Sequence, residues 1–225
     1  MTPRVHNLLL ALLACAAGAV DALSFLRLGD VFTANMTGNT VLLGIAVGER
    51  QGARALHSVA ALAGFALGVL AGAVISGRPE RSEESGWPRR VVLTLGIELV
   101  LLVGFSIGWM VAAGEPTADA QYGLIAAAAL AMGMQSGAVG QVALPGVATT
   151  YVTGVLTSLV THAAVGGASG GSLLRRGVVL VALLAGAAAG AGLVVWAPRS
   201  APWISVVLVA AVVAAAARPP RPTVP

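Results

Sequence analysis

Long apolar stretches separated by short polar connections run almost the full length of the 225-residue chain. The hydrocarbon core of a bilayer requires about twenty apolar residues per crossing helix, and most of the stretches approach that length. We therefore predict an all-α, polytopic membrane protein. Eight apolar windows carry the prediction: 5–26, 31–48, 56–76, 91–113, 121–140, 147–165, 177–197 and 203–217.

The composition agrees with a membrane protein and excludes other classes. Hydrophobic residues make up 57% of the chain, charged residues 10%, and the mean hydropathy is +0.90. Residues 1–225 are expected to form one membrane domain whose main partner is the lipid bilayer. All thirteen basic residues are arginines spread over the loops, so no basic patch for nucleic acid is expected.

The eight windows divide into two sets of four, which predicts an internal duplication with halves of approximately 1–113 and 119–217. When Val31–Leu43 is shifted by 116 residues onto Val147–Leu159, five of thirteen positions are identical. Glycines also recur at four-residue spacing in the third and seventh windows, and such stripes let helices approach closely in lipid. These glycines are Gly64, Gly68 and Gly72 in one window and Gly186 and Gly190 in the other.

The loop arginines favour one topology over another. If 31–48 and 147–165 enter and leave on the same side, nine arginines lie inside and four outside, whereas eight full crossings give seven and six. Because arginines accumulate on the cytoplasmic side, we predict six spanning helices, two polar broken or re-entrant segments and a cytoplasmic N-terminus. Eight spans remain the alternative.

The two short windows contain the candidate binding site. Broken helices in corresponding halves of a transporter often point their N-termini at a central substrate, and such termini favour an anion or carboxylate. The alternative is that these polar side chains only join neighbouring helices. The candidate residues are Asp21, Ser24, Thr33, Asn35, Thr37, Gly38, Asn39 and Thr40 in the first half, and Gln135, Thr149, Thr150, Thr153, Gly154 and Thr157 in the second.

Two carboxylates fall inside apolar windows, and an ionisable group within a membrane segment is a functional hypothesis by default. Asp21 follows sixteen uncharged residues, and Glu98 lies within the fourth window. Both are candidates for proton coupling. The structural alternatives are that Asp21 pairs with Arg27 and that Glu98 has a packing partner. No catalytic or metal-binding motif is present, so we expect neither an enzyme nor a cofactor.

Two longer motifs resemble a known family. Gly18-Ala-Val-Asp-Ala-Leu-Ser-Phe-Leu is followed by Gly29-Asp-Val-Phe-Thr-Ala-Asn-Met-Thr-Gly-Asn-Thr-Val-Leu-Leu-Gly, and the second half has Met134-Gln-Ser and Thr149-Thr-Tyr-Val-Thr-Gly. Together they resemble the YoaK-type family, a domain family of unknown function. The resemblance implies a bacterial multi-pass protein of the inner (plasma) membrane. Ser136 departs from the Asn-like residue expected there.

These observations predict a transporter or permease for a small solute or ion, with its site between the two polar segments. The alternative is a non-transporting membrane scaffold or assembly protein. The glycine stripes allow a homodimer as readily as packing within one chain.

Overall fold

A computed structural model describes residues 3–77, 87–142 and 170–217, together with the helical residues 154, 156, 157, 160, 161 and 164. The described ranges contain helices and no strand, so the all-α prediction is confirmed. The helices are α1 (Pro3–Arg27), α2 (Met36–Gly48), α3 (Gly52–Ser76), α4 (Arg89–Val111), α5 (Ala118–Val142), α6 (Gly170–Trp196) and α7 (Trp203–Ala216).

Five of these helices are long and apolar enough to cross a bilayer: α1, α3, α4, α5 and α6. The other two are apolar but shorter, with 13 residues in α2 and 14 in α7. At 1.5 Å per residue they are about 20 Å long, less than the roughly 30 Å of a hydrocarbon core. The protein is therefore a multi-pass membrane protein with two short helices besides its long ones.

Two closely packed helix pairs form the centre of the fold. The first pair is α1 with α6, and the second is α3 with α5. Within each pair the helices run in the same direction, because a contact further along one helix is also further along the other. A methyl group on Gly186 would collide with the carbonyl oxygen of Cys15, and one on Gly190 would touch the backbone of Ala19. Both predicted glycine stripes are thus used for packing within the chain.

The two pairs use matching positions. Gly68 abuts the carbonyl oxygen of Leu130 as Gly186 abuts that of Cys15, and Gly72 abuts Met134 as Gly190 abuts Ala19. Cys15 and Leu130 are 115 residues apart, as are Ala19 and Met134. Gly68 and Gly186 are 118 apart, as are Gly72 and Gly190. Each pair therefore joins a helix from the first half of the chain to one from the second.

Burial distinguishes central from peripheral helices. Two-thirds of the apolar window is buried in α1 and in α5 (67% each), but only 22% in α6 and 28% in α3. Large apolar side chains of α1, α4 and α5, such as Leu13, Phe105 and Met132, are fully buried. The exposed leucines and valines of α3 and α6 give the bundle an apolar exterior suited to lipid.

The bundle has two ends of different charge. The N-face is the end where α1 begins, and there the indole nitrogen of Trp87 donates to His6 Nδ1 at 3.0 Å. The C-face is the end where α1 ends, and there Arg27 pairs with Glu115 at 3.6 Å. Within the described ranges the N-face has five arginines and no carboxylate: Arg4, Arg89, Arg90, Arg175 and Arg176. The C-face has four of each: Arg27, Arg50, Arg54, Arg199, Asp30, Glu49, Glu115 and Asp119.

This arrangement predicts which single cysteines share a side of the membrane. In a Cys15→Ala background, Arg50→Cys and Glu115→Cys should react with an impermeant maleimide from one side, and Arg89→Cys from the other. All three positions are exposed. Labelling of inside-out and right-side-out vesicles measures this. Reaction of Arg50→Cys on the same side as Arg89→Cys would contradict the described fold.

Candidate functional site

The first polar segment begins where α1 stops and the chain reverses. Gly29 and Asp30 have φ of +81° and +58°, left-handed values that end a helix. Glycine is required at position 29 because a side chain there would collide with the His57 ring. Asp30 then pairs with Arg54 in α3 at 3.3 Å. The segment between them, residues 31–53, therefore starts and finishes beside the same end of the bundle.

The carboxylate of Asp21 holds the tip of this segment. Its Oδ1 accepts hydrogen bonds from the backbone N–H groups of Thr33 and Ala34, both at 2.7 Å, and from the Thr33 hydroxyl at 3.3 Å. Bonds from N–H groups to a carboxylate are stronger than neutral ones. Asp21 does not pair with Arg27, whose partner is Glu115. Its described role is to fix a non-helical stretch of backbone against α1.

The hydrogen bonds to Asp21 show how far the segment extends along α1, away from the C-face. Asp21 precedes Arg27 by six residues, or about 9 Å along the helix axis. Thr33 and Ala34 reach that level from Asp30, which lies near the C-face. The chain from Val31 to Asn35 therefore runs back beside α1 before α2 begins. Backbone groups that lack helical hydrogen bonds at this depth require polar partners, which Asp21 supplies to Thr33 and Ala34.

The N-terminus of α2 is capped by its own side chains. Asn35 is the N-cap, and its side-chain oxygen accepts from the backbone N–H of Gly38 at 3.2 Å. Asn39 is buried and forms two bonds to the backbone of Phe32: its Oδ1 accepts at 2.9 Å and its Nδ2 donates at 2.6 Å. The Phe32 ring stacks on Phe25 of α1 with centroids 4.9 Å apart and contacts Gly38.

The helix α2 starts at Met36, later than a helix that began at Val31, the first residue of the polar window. Thr33 lies in the non-helical stretch and α2 begins at Met36, so Thr33 does not share a helical face with Thr37 and Thr40. The two later threonines are exposed. The Thr40 hydroxyl donates to the carbonyl oxygen of Met36 at 2.9 Å. Thr37 is thus the exposed hydroxyl in the first turn of α2.

Other candidate residues lie at some distance from this tip. Ser24 is fully buried one turn after Asp21, and its hydroxyl has no hydrogen-bond partner within the described chain. Gln135 of α5 is fully buried and donates from Nε2 to the carbonyl oxygen of Leu13 at 3.3 Å. Leu13 precedes Asp21 by eight residues, about 12 Å along α1. The amide therefore does not share a site with Asp21.

The second polar segment falls largely outside the described residues. Thr149, Thr150 and Thr153 are among the residues not described. Gly154 and Thr157 are helical, with Gly154 partly buried and Thr157 exposed. How this segment meets the first therefore stays a prediction.

A small cleft opens beside the first segment on the C-face. Val31 and Ala46 line its apolar part, and polar side chains line the rest: Asp30, Glu49, Gln51, Arg54 and Ser58. Positive and negative groups are mixed there. Among the described residues no three His, Cys, Asp or Glu side chains lie close enough together to hold a metal ion.

Two features of this region were not predicted from the sequence. One is the pairing of Asn39 with the backbone of Phe32, for which the sequence offered only a polar residue between Gly38 and Thr40 in an apolar window. The other is His57, which is nearly buried, packs on the Tyr122 ring at 4.5 Å and lies against Gly29. Its position near the start of an apolar window suggested a flanking residue instead.

Comparisons with known proteins identify a family and one relative. The family model described as "Protein of unknown function (DUF1275)" matches residues 9–215. UPF0700 transmembrane protein YoaK of Bacillus subtilis (strain 168) is 38% identical over 154 residues. That match covers 68% of this chain and 65% of YoaK, so the aligned region spans a little under two thirds of the relative. No solved structure matches.

Proposed function

The chain belongs to the DUF1275 family of proteins of unknown function, and we propose from its own residues that it is a permease or transporter for a small polar solute or ion. The observation that carries this proposal is the Asp21 clamp. A carboxylate of a long apolar helix holds the tip of a broken polar segment that begins and ends at one face. Irregular backbone at membrane depth is tolerated where it is buried in protein or lines a water-filled path.

The proposed architecture has six crossings in two inverted halves. The matching contacts of Gly68 with Leu130 and of Gly186 with Cys15 support a duplication. The direction of the helices supports its inversion: α1 runs from the N-face to the C-face, and α5, its counterpart, runs the opposite way. In this proposal α7 is the sixth crossing and residues 31–48 and 147–165 are the re-entrant elements. Transporters of this build bind substrate near the repeat interface.

The charges of the two faces support an orientation. Among the described residues, five arginines without a carboxylate at the N-face and equal numbers of arginines and carboxylates at the C-face fit a cytoplasmic N-terminus. The cleft next to Asp30 and Arg54 then opens to the outside. The plasma membrane of a bacterium is the proposed location, in keeping with the family resemblance.

The hydrogen bonds made by Asp21 also limit the class of solute that could bind at the tip of the segment. Asp21 already occupies the N–H groups of Thr33 and Ala34, the donors that an anion would use at this tip. A second negative charge there would be repelled by the carboxylate. We therefore favour a neutral polar solute or a cation over the anion expected from two helix N-termini.

A flux assay tests the proposal. Proteoliposomes should be tested with potassium, sodium, chloride, acetate, urea and glycerol as probes, by tracer release or light scattering. The expected result is protein-dependent flux of at least one probe that Thr37→Val reduces by about tenfold, equivalent to 1.4 kcal/mol. Thr117→Val, an exposed loop threonine, is the matched control and should behave as wild type. Equal flux through empty and protein-containing vesicles for every probe would contradict a permease of this kind.

The hydrogen bonding also favours a second candidate, a membrane scaffold. Asp21, Asn35 and Asn39 each bind backbone groups of the segment, as they would in a purely structural turn. A scaffold would dissipate no gradient, and Thr37→Val would leave its partner contacts unchanged. The same flux assay therefore separates the two.

A further inference from the structure

Glu98 differs from Asp21 in its hydrogen bonding. Its side chain is fully buried, and neither carboxylate oxygen has a hydrogen-bond partner within the described chain. It is the tenth residue of the 23-residue α4 and lies on the helix face that includes Leu95 and Leu102, which are also fully buried. A charged carboxylate without a partner in such surroundings is strongly disfavoured.

Two independent contacts place Glu98 at one level of the bundle. Gly108 of α4 contacts Leu124 of α5, and the helices are antiparallel, so ten residues, or about 15 Å, along each bring Glu98 level with Met134. In addition, the hydroxyls of Thr94 and Ser76 are 2.9 Å apart. One turn from each towards the C-face lie Glu98 and Gly72, and Gly72 abuts Met134.

Among the described residues, Gln135, next to Met134, is a second buried polar side chain at this level. Its Oε1 has no partner in the described chain, while its Nε2 is used by Leu13. The level therefore has three oxygens without a partner in the described chain, two from Glu98 and one from Gln135, whereas the amide nitrogen of Gln135 already bonds Leu13. Oxygen acceptors of this kind are satisfied by a cation. A single carboxyl group can bind a proton by itself. Metal ions that prefer oxygen ligands, such as Mg²⁺ and Ca²⁺, need about six of them.

Among the described residues, no charged group on the helices packed against α4 lies near enough to pair with Glu98. The elements packed against α4 are α3, α5 and α7. Their ionisable side chains are Arg54 and His57 near the start of α3, and Asp119 and Tyr122 near the start of α5, and α7 has none. All four lie near the C-face, about 18 Å or more along the axis from the level of Gly72 and Gln135. The arginines of α4 itself, Arg89 and Arg90, lie at its start.

We infer that Glu98 is a buried proton-binding site, with the carboxylic acid form as the resting state of the folded protein. Asp21, by contrast, faces three donors, as an ionised carboxylate does, and serves as a clamp. Of the two carboxylates within apolar helices, Glu98 is thus the one that carries a proton. Use of that proton to drive transport rests on the proposed function, whereas the site itself rests on the geometry.

The pH dependence of the free energy of unfolding reports on the proton bound at Glu98. The folded state holds a proton that the unfolded chain releases at neutral pH, so wild-type stability should fall as pH rises, with the unfolding constant growing up to about tenfold per pH unit. Glu98→Gln keeps the shape of the side chain without the proton and should lose this dependence. Ser106→Ala is the matched control: Ser106 is buried on the same helix and bonds only its own backbone at Leu102, so its pH dependence should remain.

Infrared spectroscopy tests the same site in the wild-type protein, even if Glu98→Gln does not fold. Glu98 is the one glutamate inside an apolar span of the described chain. At neutral pH in liposomes a carbonyl band of a protonated carboxylic acid should be present, and it should shift when glutamate is labelled with ¹³C. Absence of that band, its loss on adding sodium, or an unchanged pH dependence in Glu98→Gln would each overturn the inference. If the band is present but no probe crosses the membrane, the proposed transport is wrong and Glu98 is still a proton-binding site.

Discussion

Gly186→Ala is expected to lower the free energy of unfolding by about 3 kcal/mol, the upper end of overpacking effects, because its methyl group has no space. The obstacle is the carbonyl oxygen and Cα of Cys15, which are backbone atoms of α1 and cannot rotate away. The helices α1 and α6 would have to separate. Denaturation in mixed micelles, followed by circular dichroism, measures the change.

The same chain provides the controls for this experiment. Gly192 is on α6 too, but an added Cβ there meets no atom within 4 Å, so Gly192→Ala should cost nothing measurable. Gly68→Ala should repeat the loss in the other pair, against the Leu130 carbonyl oxygen. Equal stability of the Gly186 and Gly192 variants would mean that α1 and α6 do not pack as described.

Asp21→Ala is the second change with a large expected effect. It removes the acceptor for two backbone N–H groups, and bonds to a charged acceptor are worth about 1.5–3 kcal/mol each. The tip at Thr33 and Ala34 should then detach from α1, and exchange of these two amide hydrogens should be faster by about a hundredfold, or 2.7 kcal/mol. Hydrogen exchange with mass spectrometry of the 28–40 peptide measures this.

Two variants make the Asp21 result specific. Asp21→Asn keeps one acceptor oxygen without the charge, so its exchange should lie between those of wild type and Asp21→Ala. Asp30→Asn removes an exposed pair with Arg54, which is worth little on a surface, and should leave exchange at Thr33 unchanged. Unchanged exchange in Asp21→Ala would show that the carboxylate does not hold the segment.

The apolar windows predicted the helices well because a membrane helix must be apolar along its whole length. Windows 56–76 and 91–113 became α3 and α4 with small changes at their ends. The start of α2 was harder to predict. A helix could begin anywhere after Asp30 on hydropathy alone, and its start at Met36 depends on Asp21 binding residues twelve and thirteen positions away.

The glycine stripes were visible in the sequence, but their partners were not. Four-residue spacing shows that Gly64, Gly68 and Gly72 lie on one helix face, and it does not say which helix meets that face. The answer, α5, depends on how the two halves interlock. Glu98 is a similar case: its place within an apolar window was readable, whereas the lack of any partner depends on side chains from other helices.

The proposed permease requires that the tip of the first polar segment lie on a water-accessible path within the membrane domain. Thr37→Cys in a Cys15→Ala background tests it most directly, with an impermeant sulfonated thiol reagent added to each side of oriented vesicles. We predict reaction from the C-face at a rate close to that of Arg50→Cys, while Val100→Cys, exposed on the apolar surface of α4, stays unreactive. If Thr37→Cys is as unreactive as Val100→Cys, the segment faces lipid or protein and no such path exists.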